Sequence, residues 1–129
     1  MRFLSRMPFV AAVLIALGTS LPPCAAQSAR APYEADMQRL AEILGALHYL
    51  RAICGANEGQ TWRNEMQALV DAEAPGGDRR ERLIGSFNRG YRGFQQTYRT
   101  CTPAANLAIR RYLDEGAKIA RDITARYAN

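Results

Sequence analysis

The sequence predicts an all-α fold, a small antiparallel four-helix bundle closed by one disulfide. Three observations predict it. Four segments repeat apolar residues at helical spacing, and no segment alternates convincingly with a period of two. Short connections carrying Gly, Pro and capping residues separate them, which favours antiparallel neighbours. Two cysteines, Cys54 and Cys101, fall at segment ends that this topology brings to one end of the bundle.

The 129-residue chain opens on a different kind of segment. Arg2 and Arg6 form a basic leader with no acid nearby, and residues 9–17 are an unbroken apolar run. Gly18, Pro22 and Pro23 break the run, and Cys24, Ala25 and Ala26 supply small residues where a signal peptidase cuts. The run is shorter than the ~20 residues a bilayer-spanning helix needs. Residues 1–26 therefore read as a cleavable secretory signal, and 27–129 as a helical domain in the periplasm. The rival readings are an uncleaved membrane anchor and a lipoprotein modified at Cys24. The prolines before Cys24 fit a lipoprotein signal badly.

Processing changes two counts. Loss of Arg2 and Arg6 lowers the formal charge of +5 by two, too modest a balance for a nucleic-acid binder. Loss of Cys24 turns three cysteines into the pair Cys54 and Cys101. In an oxidising compartment an even pair in a small domain reads as a disulfide, against two separate buried thiols. Among the 17 basic residues only Lys118 is lysine, read first as compositional bias.

The first helix follows Pro32, with Glu34 and Asp36 placed well against the helix dipole. Tyr33, Met37, Leu40, Leu44, Leu47 and Cys54 make its apolar stripe, and Gly55 can end it. Asn57 with Gln60 suggests the start of the second helix, whose stripe is Trp62, Met66, Leu69 and Val70. Ala74-Pro75-Gly76-Gly77 ends it. Asp78 with Glu81 repeats the capping pattern and opens a third helix along Leu83, Phe87, Tyr91, Phe94 and Tyr98. Thr102-Pro103 caps and starts the fourth, which runs through Ile109, Tyr112, Gly116, Ile119 and Ile123 to Tyr127.

Unusual side chains gather at the cysteine end: His48 and Arg51 late in the first helix, Asn57, Glu58 and Trp62 before and in the second. Arg51 lies five helical turns from Tyr33, on the apolar stripe, so it needs partners such as Glu58 or helix-end carbonyls. It reads either as a structural tie or as a ligand-facing arginine in a cleft with His48 and Trp62. His48 reads as a packed histidine, since no nucleophile and orienting acid accompany it. No GxSxG, HExxH or phosphate loop occurs, so no catalytic residue, metal ligand or cofactor is assigned.

The charge pattern is more suggestive. Between Glu81 and Asp114 there is no acid, while Arg82, Arg89, Arg92, Arg99, Arg110 and Arg111 fall in that stretch. On a helical wheel Arg82, Arg89, Arg92 and Arg99 share one flank of the third helix, with Gly85, Gly90 and Gly93 on or near it. Helical glycine costs up to about 1 kcal/mol, so three suggest close approach by another backbone or a ligand. The flank reads as a solvated basic face or as a surface for an anionic partner.

Several blocks carry a resemblance. Residues 44–51 (LGALHYLR), Cys54-Gly55, Trp62-Arg63 with Met66, residues 87–94 (FNRGYRGF), Tyr98 and Cys101-Thr102 resemble an uncharacterised family of small exported alphaproteobacterial proteins, classed as a domain of unknown function. The resemblance implies a periplasmic home and paired cysteines, and it carries no activity. Two functional expectations follow. One is a non-enzymatic interaction module of cell-envelope assembly or maintenance, binding a periplasmic protein or an anionic envelope component, with no stable membrane insertion after processing. The other is a domain that binds a small anion or a cell-wall fragment in a cleft at the disulfide end.

Overall fold

The computed structural model describes residues 30–128. The expected signal segment, 1–26, lies outside the described residues. Four helices follow one another: α1 (Glu34–Ile53), α2 (Thr61–Glu73), α3 (Gly77–Thr97) and α4 (Pro103–Tyr127). No strand occurs among the described residues.

The helix ends follow from local chemistry. Gly55 takes φ +79° after α1. The Gly55 amide then donates to the Ala52 carbonyl at 3.3 Å and the Ala56 amide to that of Arg51 at 3.0 Å, closing the end with a Schellman pair. The next helix does not start at Asn57. Gly59 stands at φ +55°, outside the right-handed helical region, and α2 begins after it at Thr61. Gln60 occupies the cap position without a side-chain bond. Asp78 likewise stands in the first turn of α3 rather than capping it, and the cap position belongs to Gly76. At α4 the expected cap forms: Thr102 Oγ1 accepts from the Ala105 amide at 3.1 Å, and Pro103 follows.

The bundle is rhombic rather than square. Its sequence neighbours run antiparallel, and α1 and α3, parallel across the diagonal, are pressed together. The pairings rise in step: Glu34 meets Arg79, Gly45 meets Phe87, and Tyr49 meets Tyr98. A Cβ built on Gly45 would lie 1.9 Å from the Phe87 carbonyl oxygen, and one on Gly90 1.9 Å from that of Glu42. Only glycine fits at either position. Of the three glycines on the arginine flank, Gly90 answers the expectation of close backbone approach. Gly85 and Gly93 face open space.

The diagonal contact makes α1 the central helix. It was expected to bury one stripe, but α2, α3 and α4 surround it, and Ala41, Ile43, Leu44, Ala46, Leu47 and Leu50 are all buried. One core joins α1 to α2 and α3 through Met37, Leu44, Met66, Val70, Leu83 and Phe87. A second joins α1 to α4 through Ile43, Leu47, Leu50, Ala105 and Ile109. Trp62 packs against both. Cys54 and Cys101 are bonded, with Cα atoms 4.8 Å apart, and fasten the α3–α4 turn to the end of α1.

Candidate functional site

The residues singled out at the disulfide end separate into two arrangements. Arg51 is half-buried. Its guanidinium forms a two-pronged pair with Glu58, Nε donating to Oε2 at 2.7 Å and Nη2 to Oε1. The Trp62 indole N–H donates to the same carboxylate. Arg51 and Trp62, through their hydrogen bonds, hold the Glu58 carboxyl below the usual range against a smaller opposing effect of burial. These three residues brace the turn between α1 and α2, and they use the Arg51 guanidinium in doing so.

His48 turns the other way, toward α3. Its ring centroid lies 6.0 Å from that of Phe87 and 5.7 Å from that of Tyr91. Nδ1 is buried with no hydrogen-bond partner. Burial pushes the imidazole below its ordinary pKa, and the charge of Arg63 adds to the shift. Tyr49, beside it, meets Tyr91 edge-on and donates its hydroxyl to the Tyr98 carbonyl at the end of α3.

The arginine flank also divides. Arg82 approaches the buried Glu34 at 4.0 Å. Arg89 donates to Ser86 Oγ at 2.9 Å and approaches Glu42 at 4.0 Å. Both lean toward carboxylates of α1. Arg92 and Arg99 are exposed and make no ion pair with a described residue, and the same holds for Arg110 and Arg111 on α4. Four free arginines thus lie on the disulfide half of the α3–α4 hairpin, within the stretch that has no acid of its own, while Arg63, Arg121 and Arg126 are exposed without an ion pair to a described residue elsewhere.

That half of the hairpin also carries a groove. The backbones of α3 and α4 stand apart while each packs on α1, and side chains bridge the gap. Phe94 and Tyr98 lie parallel (8°) with centroids 6.0 Å apart, and Tyr112 meets Phe94 edge-on at 5.3 Å. These rings line a groove of about 480 Å³, with Leu107 and Ala104 on its α4 side and Arg111 at its rim. At its far end Arg39 clasps Glu115, with N–O distances of 2.7 and 2.9 Å, and its guanidinium lies 5.1 Å from the Tyr112 ring centroid. Hydrogen bonding to Arg39 depresses the Glu115 carboxyl. A further groove of about 450 Å³, between α2 and α4 over Leu40 and Leu44, is mainly apolar, with Thr61 and Glu65 in its lining.

Two polar features escaped the sequence reading. Arg39 and Glu115 are 76 residues apart, and neither interrupts an apolar stripe. Glu34, read as a dipole residue, is buried and accepts from Arg79 Nε at 2.7 Å, while Arg79 also donates to the Glu73 carbonyl. Only Arg39 with Glu42, three residues on, had a local signal, and that contact is made at 3.2 Å. Among the described residues no helix is long and apolar enough to cross a membrane.

A family model described as "Protein of unknown function (DUF2385)" matches residues 32–127. No curated protein and no solved structure matches the chain.

Proposed function

We propose that this chain, which belongs to the DUF2385 family, is a non-enzymatic exported domain that docks on an anionic polymer of the cell envelope. The contact surface is the disulfide half of the α3–α4 hairpin. One observation carries this reading: Arg92, Arg99, Arg110 and Arg111 are exposed and unpaired among the described residues, in a stretch without a carboxylate. Asp114, one turn from Arg110 and Arg111, is the nearest exposed acid, and two other acids near this end are engaged. Glu58 is taken by Arg51 and Glu115 by Arg39. Guanidinium groups held this way suit carboxylates and phosphates, which they bind through paired N–H donors. Export rests on the signal-like residues 1–26, and the periplasm is the compartment they imply. The non-enzymatic reading rests on His48, whose Nδ1 meets no orienting acid.

The test is cosedimentation of the processed protein with isolated cell-wall sacculi across a salt series. The wild type should bind at low salt and be released as screening rises. The triple variant R92E/R99E/R110E should lose at least tenfold in apparent affinity with an unchanged helical circular-dichroism spectrum. Binding that survives the triple reversal would overturn the proposal.

A further inference from the structure

We infer that the α3–α4 groove is a recognition site for a carboxylate-bearing pyranose ring, the acidic sugar unit of such an envelope polymer. The inference rests on the docking reading above and narrows it to a site and a ligand class.

The size fits. A groove of about 480 Å³ falls within the ~300–1,000 Å³ typical of small-ligand sites. Its lining has two chemistries in fixed order. Phe94, Tyr98 and Tyr112 present ring surface, and Leu107, 40% exposed, adds an aliphatic rim that the core does not use. Arg111 brings a free guanidinium to the same groove, and the Arg39–Glu115 pair closes the far end. A ligand must therefore offer a flat apolar face, an anionic group on one edge and hydroxyls on another.

An acidic sugar does so. The C–H face of a pyranose ring lies against the aromatic rings, by the same weak C–H contacts that recur elsewhere in proteins. Its carboxylate takes two N–H donors from Arg111. Its hydroxyls donate to the lone pairs of Glu115 that Arg39 leaves unused, since a carboxylate has about four acceptor sites. An acyl chain in the same place would strip water from Arg39 and Glu115 and return no hydrogen bond. A doubly charged phosphate would face the Glu115 carboxylate.

The experiment uses the processed protein and three probes in amide chemical-shift titrations. N-acetylmuramic acid and N-acetylglucosamine share the ring and differ by a lactyl carboxylate, and 4-hydroxybenzoate supplies the other source of a carboxylate-bearing ring. N-acetylmuramic acid should shift amides of residues 94–98 and 104–115, at least tenfold more tightly than N-acetylglucosamine. A104W fills the groove from an exposed position on α4 and should abolish the shifts while keeping every arginine. R111Q should reduce the acidic sugar to the level of the neutral one. Equal affinities for the two sugars, tighter binding of 4-hydroxybenzoate, or an A104W variant that still binds would each overturn the inference. Sacculus binding separates the two claims. If A104W keeps it and R92E/R99E/R110E loses it, the groove assignment falls and the docking reading stands. If the triple reversal keeps it, the docking reading falls.

Discussion

Between α1 and α3 there is no room for a methyl group; between α3 and α4 there is room for a ligand. At the first contact Gly45 and Gly90 let carbonyl oxygens stand where side chains otherwise would. At the second, the rings of Phe94, Tyr98 and Tyr112 set the distance, and rings pack at centroid separations that leave a groove beside them. One helix, α3, thus has a face built from backbone contact and a face built from side chains. The difference shows where the site comes from. Drawing α3 onto α1 across the diagonal leaves α4 supported mainly by α1, so the α3–α4 side stays open.

The disulfide bears hardest on this contrast. It fastens the α3–α4 turn to the end of α1 on the open side, where packing is weakest. Closing a loop with a sequence separation of 47 stabilises the fold by about 4 kcal/mol in the chain-entropy model. The C54A/C101A variant should lose about that much in urea unfolding. Its α4 amides should exchange with solvent well before those of the α1–α3 contact. A loss below about 1 kcal/mol would mean that Ile43, Ile109 and their neighbours hold α4 unaided.

The tight side is tested by single methyl groups. G90A and G45A each drive a Cβ against a backbone carbonyl, which cannot rotate away as a side-chain end can. Overpacking costs typically 1–3 kcal/mol and here should reach about 3 kcal/mol, with α1 and α3 forced apart. G93A meets open space and should stabilise α3 by about 0.5–1 kcal/mol through helix propensity. Equal behaviour of G90A and G93A in urea unfolding would break the comparison.

The sequence carried much of the bundle and little of the groove, for physical reasons. Apolar period, the Thr102-Pro103 start and the Gly55 stop are local, and each is where it was read. The disulfide was legible from the even cysteine pair, and the antiparallel topology agrees with it by placing Cys54 and Cys101 at one end. The diagonal contact was not legible. Gly45 looks like any small residue in an apolar run, and it gains meaning only when Phe87 is known to lie opposite. In sequence Gly85, Gly90 and Gly93 are therefore alike, though only Gly90 of the three is at the crossing. Of the partners the sequence offers Arg51, Glu58 or the helix-end carbonyls, the structure uses Glu58, seven residues away. The groove escaped because its lining comes from three helices and its Arg39–Glu115 pair spans 76 residues. What the sequence did mark was its charge, the stretch without an acid from 82 to 113.

The smallest effect concerns an unpaired polar atom at the α1–α3 contact. His48 lies against Phe87 and Tyr91 with its Nδ1 unpaired, near Arg63, and burial lowers its pKa below 6.5. The folded protein therefore binds this proton more weakly than the unfolded chain does. The contribution of His48 to stability is complete above pH 6.5 and is lost as pH falls from there toward the folded-state value, below which the loss is constant. Glu58 and Glu115 cannot mimic this, because their folded pKa values lie below 4.5 and their stabilising pairs fail only in stronger acid. Urea midpoints measured from pH 7.5 to 5 should fall slightly for the wild type, by less than either preceding loss. In H48F, which keeps a ring between Phe87 and Tyr91, they should stay level. A slope of the same size in H48F would assign the titration to another group. A wild-type midpoint that rises on acidification would mean that Nδ1 finds an acceptor when protonated, and His48 would then tie α1 to its neighbours in acid rather than loosen them.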